Sequence, residues 1–125
     1  MCCDRILIIE DETDLRDTLC DLLELEGFEV VSAANGHEGL AVLERGDPPC
    51  LILLDLMMPV MNGWEFLEAL RQRPALRPPD LPIAVVSAAA DLSEVGERYG
   101  CTVLKKPVRI DQLLALAQTH CGAER

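Results

Sequence analysis

The strongest constraint on this chain is an alternation. Short aliphatic runs recur along its 125 residues, each separated from the next by a helical pattern. Arg5–Ile9 is nearly continuous in Ile and Leu, as a strand covered on both faces must be. Phe28–Ala33, Leu51–Leu54, Ile83–Val86 and the brief Thr102–Leu104 read as four more strands. Thr13–Glu26 places Leu15, Leu19, Leu22 and Leu23 on one helical stripe, with Thr13 as the expected cap and Gly27 as the stop. Asn35–Glu44, capped by Asn35, and Trp64–Arg71, after the turn Asn62-Gly63, read as helices. So do a short, weak Asp91–Tyr99 containing Gly96, and Ile110–Cys121, with Ile110, Leu113, Leu114, Ala117 and Cys121 on one face. Arg73–Pro82, with four prolines, is a loop. Five strands alternating with five helices predict one α/β domain over 1–125, built on a parallel sheet with right-handed crossovers.

Each aliphatic run ends in a polar side chain. The first runs into Glu10-Asp11, the third into Asp55, the fourth into Ser87 and the fifth into Lys105-Lys106. In an open parallel sheet the functional crevice lies outside the carboxyl ends of the strands. Three carboxylates, a hydroxyl and an ammonium should therefore meet on one edge. Two carboxylates about 4 Å apart repel by roughly 4 kcal/mol at an effective dielectric near 20. A hard divalent cation relieves that repulsion, and Mg²⁺ suits carboxylate oxygens, a backbone carbonyl and water. Such an ion beside a free carboxylate and a lysine also suits a phosphoryl group, which the carboxylate can attack to give an acyl phosphate.

Composition narrows the function classes. A net charge of −11 argues against nucleic-acid binding, which needs a basic face. Phe28, Trp64, Phe66 and Tyr99 are too few for base-stacking platforms. No apolar run approaches a membrane span, and nothing at Met1–Arg5 resembles a secretory leader. The six cysteines lack C-x-x-C spacing, and neither His37 nor His120 completes a zinc pattern. The expectation is reduced, buried thiols in a cytoplasmic protein.

Four segments resemble one family. Ile8-Ile9-Glu10-Asp11-Glu12, then Leu53-Leu54-Asp55-Leu56-Met57-Met58-Pro59 with Asn62-Gly63, then Val86-Ser87-Ala88, then Lys106-Pro107 are similar to the response regulator receiver domain of two-component signalling. The resemblance implies a flavodoxin-like, doubly wound five-stranded sheet in the order 2-1-3-4-5. It implies Asp55 as phosphoacceptor, Mg²⁺ held by Glu10, Asp11, Asp55 and the Met57 carbonyl, and Ser87 and Lys106 contacting the phosphoryl group. It also implies a cis Lys106–Pro107 bond, and Lys106 rather than Lys105 as the lysine that matters. Glu10 stands where many members carry Asp. Val103 stands where most carry the Tyr or Phe that turns inward on activation, and the interval from Ser87 to Lys106, 19 positions, is short for the family.

The implied function is a phosphorylatable switch rather than an enzyme, assisting its own phosphorylation and dephosphorylation. Its donor would be a histidine kinase or a histidine phosphotransfer protein, and its output a protein contact, with neither nucleic acid nor membrane as partner. The chain reads as a stand-alone receiver, the alternative being a receiver excised from a multidomain regulator or hybrid histidine kinase. A haloacid dehalogenase-type phosphatase would want an acid at Met57 and a cap domain. A flavin module would not place Glu10-Asp11-Glu12 where a phosphate must sit.

Overall fold

A computed structural model describes residues 5–45, 49–56, 58, 60–76, 81–87, 101–106 and 109–120. Its strands are β1 (Arg5–Ile9), β2 (Glu29–Ala33), β3 (Leu51–Asp55), β4 (Ile83–Ser87) and β5 (Thr102–Lys105). Its helices are α1 (Thr13–Leu25), α2 (Gly36–Glu44), α3 (Gly63–Gln72) and α4 (Ile110–His120), with one 3₁₀ turn at Pro74–Leu76. The helix expected over 91–99 lies outside the described residues. The strands form one parallel sheet in the order β2-β1-β3-β4-β5, the expected doubly wound arrangement.

The strands are aliphatic throughout because both faces are covered. Leu7, Ile9, Ile52, Leu54 and Ile83 pack with Leu40 and Leu43 of α2 and Phe66, Leu67 and Leu70 of α3. Ile6, Ile8, Leu51, Leu53 and Ala84 pack on the other face with Leu19 and Leu23 of α1 and Leu113 and Ala117 of α4. Alternate residues of one strand thus serve opposite cores, as the two-residue repeat of a pleated strand requires. Trp64 is partly buried against the first of these clusters.

Several local expectations change. The cap position of α1 is Glu12, without a side-chain bond to the helix, so Thr13 is already helical and does not cap. Glu65 closes a capping box with Asn62, each side chain accepting from the other's backbone N–H at 2.9 and 3.0 Å. Ile110 is 40% exposed and lies off the buried face of α4. β3, β4 and β5 each run one residue further than their apolar runs, because the ladder continues through Asp55, Ser87 and Lys105. Cys50 is disulfide-bonded, against the expectation of reduced thiols, while Cys20 and Cys101 are in no disulfide.

The loop after β3 is held at both ends. The Gly63 N–H donates to the Leu56 carbonyl at 2.9 Å, and a Cβ at Gly63 would lie 2.6 Å from the Asp55 carbonyl oxygen. The Gly36 N–H donates to the Met61 carbonyl at 2.9 Å. Between these anchors Val60 sits at φ 67°, a left-handed conformation that a β-branched residue adopts only under constraint. Its side chain is 81% exposed, so no packing compensates. Val60→Gly is expected to raise stability by about 1 kcal/mol, strain relief outweighing the added freedom of the unfolded glycine. A denaturation midpoint that falls in the variant would contradict the strain.

Candidate functional site: an acidic crevice at the carboxyl ends of the strands

Register brings the site together. Ile9 pairs with Leu54, so Glu10 and Asp55 are level on adjacent strands. Asp55 pairs with Val86, and Ser87 with Lys105, which aligns the ends of β4 and β5 with the same edge. Glu10 and Asp55 are 3% and 4% exposed, the two buried charged residues among the described residues. Asp11 is exposed at the rim. One carboxylate oxygen from each of Glu10, Asp11 and Asp55 lies within 4.8 Å of the others.

Lys106 bridges the buried pair. Its Nζ is 3.1 Å from Glu10 Oε1 and 3.4 Å from Asp55 Oδ2. Lys105, by contrast, is exposed. Glu10 is fixed on every side. Its N–H donates to the Ala33 carbonyl at 3.0 Å, its Oε2 accepts from the Glu12 N–H at 3.1 Å, and its carbonyl accepts from Arg16 Nη1 at 2.7 Å. The side chain of Glu10 therefore folds back to the entrance of α1, where it holds the N–H of the cap residue Glu12. Arg16 is the site residue that sequence reasoning missed. Its one signal is that it is the basic residue of α1, a turn inside the helix that follows the acidic pair.

The electrostatics follow from burial. Desolvation pushes the Glu10 carboxyl up to about 7, and the Asp55 charge adds to this. The Glu12 N–H and Lys106 oppose it. Burial disfavours charge on Lys106 too, but the Glu10 hydrogen bond and the Asp55 charge outweigh that and raise its ammonium above the usual value. The donor set is three carboxylates in a half-buried crevice, hard oxygen ligands of the type that Mg²⁺ takes.

The positions of the remaining site residues are mixed. Ser87 ends β4 at this edge. Met57 and Pro107, and with them the carbonyl ligand and the cis bond expected there, lie outside the described residues. Val103 pairs with Val85 in the sheet and packs, partly buried, against the core under α2 and α3. The aromatic expected by family resemblance is absent from that strand.

Fold and site together define a flavodoxin-like α/β protein with an acidic, lysine-bridged crevice at the carboxyl ends of its strands. The chain belongs to the response regulator receiver domain family, whose model matches residues 6–118. It is 37% identical over 91 residues to a probable transcriptional regulator, ycf27, of Porphyridium aerugineum, covering 73% of this chain and 35% of that protein. It is 36% identical over 121 residues to an uncharacterized 14.6 kDa protein of Leptolyngbya boryana, covering 94% of this chain and 90% of that one. A CheY-like receiver domain protein from Methanospirillum hungatei superposes with a TM-score of 0.79 at 34% identity, over 94% of this chain and 92% of that one. The chain spans about a third of the ycf27 regulator that it matches.

Proton release should accompany cation binding. Glu10 takes up a proton near pH 7 in the metal-free protein, and a coordinating carboxylate must be deprotonated. Magnesium affinity is therefore expected to fall about tenfold between pH 8 and pH 6. Titration of Trp64 fluorescence or calorimetry reads this. Equal affinities at the two pH values would show that Glu10 is not a ligand.

Proposed function

We propose that this receiver accepts a phosphoryl group on Asp55 from a phosphohistidine donor, a histidine kinase or a histidine phosphotransfer protein. The observation that carries the reading is the buried Glu10–Asp55 pair, with Asp11 within 4.8 Å and Lys106 bridging the two. Glu10, Asp11 and Asp55, with the Met57 carbonyl, would hold Mg²⁺. The ion supplies charge neutralisation for the incoming phosphoryl oxygens.

The remaining chemistry belongs to the chain. An Asp55 carboxylate oxygen attacks phosphorus in line, and the phosphohistidine nitrogen departs. Lys106 Nζ already lies 3.4 Å from Asp55, so it reaches a phosphoryl oxygen by exchanging one partner for another. The Ser87 hydroxyl donates to a second phosphoryl oxygen. Arg16 and the Glu12 N–H keep Glu10 in place while Lys106 changes partners. The receiver is not a true enzyme, since the group it transfers stays on its own side chain. Its net charge of −11 disfavours nucleic acid, and no helix among the described residues is long and apolar enough to cross a membrane. We place the protein in the cytoplasm, with protein contact as its output. A second reading is a receiver excised from a multidomain regulator or hybrid histidine kinase; the chain matches about a third of one transcriptional regulator.

Acetyl phosphate with Mg²⁺ tests the chemistry. The expected result is a mass gain of one phosphoryl group that is labile in base and lost when EDTA replaces the metal. Absence of labelling at saturating donor, or labelling indifferent to EDTA, would overturn the reading.

A further inference from the structure

The backbone just before α3 touches two helix starts. A Cβ on Gly63 would lie 2.6 Å from the Asp55 carbonyl oxygen and 2.7 Å from the Leu56 Cα. A shift of the Asp55 backbone therefore reaches Gly63 with no slack to absorb it. Asn62 and Glu65 lock this end to α3 through the two bonds of their capping box. The other contact is to α2. The Gly36 N–H donates to the Met61 carbonyl at 2.9 Å, and a Cβ on Gly36 would lie 2.8 Å from Met61 Cγ. The start of α2 is closed by its own caps, Asn35 accepting from the Glu38 N–H and Glu38 from the Ala34 N–H. One backbone hydrogen bond thus ties a self-contained helix start to the segment that follows Asp55.

Beside that bond stands Val60, at φ 67° with its side chain 81% exposed. An L-residue held there is strained, the more so when β-branched. Such a conformation persists only where its surroundings impose it, and it concentrates at switch segments. Here the anchored Met61 and Gly63 impose it. β5 consists of Thr102, Val103, Leu104 and Lys105 and carries no ring that could turn, so a change at Asp55 needs another way out.

We propose that Val60 and Met61 form a strained hinge that passes phosphorylation of Asp55 to the start of α2. The hinge rests on the reading of Asp55 as phosphoacceptor. In the resting form the Met61–Gly36 bond is closed and Val60 is held left-handed. A phosphoryl group on Asp55 shifts the backbone that abuts Gly63. The Met61–Gly36 bond then opens, Val60 relaxes to negative φ, and the start of α2 is released. Strain in the closed form offsets the hydrogen bond lost on opening, which brings the two forms close enough in energy for a ligand to choose between them.

Amide exchange at Gly36, followed by nuclear magnetic resonance on the full chain, reads the hinge directly. Gly36 is the first residue of α2, so its N–H has no partner inside the helix and reports the Met61 bond. Beryllofluoride with Mg²⁺ serves as the phosphoryl mimic. In the natural protein it should speed Gly36 exchange at least about tenfold, while amides of the core strands slow because a bound ligand stabilises the fold. Val60→Gly removes the strain of the closed form. Without ligand it should slow Gly36 exchange about fivefold, and by linkage it should weaken beryllofluoride binding, read by Trp64 fluorescence, about fivefold. Val60→Thr keeps the β-branch and should stay within about twofold of the natural protein in both. Beryllofluoride that does not bind the natural protein would overturn the phosphoacceptor reading and the hinge with it. Binding that fails to speed Gly36 exchange, or that is as tight in Val60→Gly as in the natural protein, would overturn the hinge alone. So would a Val60→Thr protein that behaves like Val60→Gly, since the apolar surface of the side chain, not its strain, would then be what matters.

Discussion

Asp55→Asn is expected to lower phosphoryl uptake from acetyl phosphate by at least about 100-fold, to background. Attack on phosphorus needs a carboxylate lone pair, and the amide of asparagine is a poor nucleophile. The substitution keeps the size of the side chain, so the fold should persist. It also removes the charge that helps to hold Glu10 protonated. Lys106 keeps its 3.1 Å bond to Glu10. The far-ultraviolet circular dichroism spectrum and Tm should therefore match or exceed those of the natural protein in the absence of metal. Base-labile labelling that survives in a folded Asp55→Asn protein would place the phosphoacceptor elsewhere. Glu10 and Asp11 are the near alternatives, and peptide mapping of the labelled protein would separate them.

Much of this site was legible in the sequence because strands end where apolar runs end. A parallel sheet with both faces covered must be aliphatic along each strand, so the first polar residue marks the carboxyl edge. That rule located Glu10 and Asp55 before any geometry and put Lys105-Lys106 at the same edge, where the family resemblance chose Lys106. It could not tell that β3 pairs through Asp55 itself, because ladder bonds involve backbone and are blind to side-chain type. Helix starts were harder. Asn35 and Asn62 cap as their residue type suggests, with bonds of 2.9 Å from Glu38 and Glu65. Thr13 does not, because the helix starts one residue earlier than its residue type suggests, with Glu12 at the cap position and the Glu12 N–H bonded to Glu10. Arg16 and the Cys50 disulfide were not legible. Each depends on what the fold brings near, and neither has a spacing signature along the chain. Val103 illustrates the converse. Its identity was plain from sequence, and its place in β5, half-buried against the α2–α3 core, follows the strand alternation. With no aromatic at that position, a signal leaving Asp55 cannot use rotation of a ring in β5.

Lys106→Met is expected to have the second largest effect, on both chemistry and stability. Removing the ammonium leaves Glu10 and Asp55 buried with no cation between them. Labelling by acetyl phosphate should fall about 100-fold, the usual cost of losing one charged donor to a developing anion. Stability in the metal-free state should fall by about 2 kcal/mol at pH 8, less than the cost of breaking a fully buried ion pair because Lys106 is partly exposed. The pH dependence identifies the cause. Glu10 has a folded-state pKa already raised to about 7, so its carboxylate destabilises the fold increasingly as pH rises from its unfolded value toward 7. Without Lys106 that value moves higher still, and the penalty keeps growing above pH 7. Lys106 itself has a raised pKa, so its pairing stabilises fully below its unfolded value and is lost only as pH rises through the folded one. The Tm difference between the natural protein and Lys106→Met should therefore be smallest at pH 5, where Glu10 is protonated, and widen steadily to pH 9. Added Mg²⁺ should narrow it again, because a divalent cation can neutralise the same carboxylates. A Tm difference that stays constant from pH 5 to pH 9 would mean that Lys106 contributes through its aliphatic stem. Its charge would then not be what holds the acidic pair together.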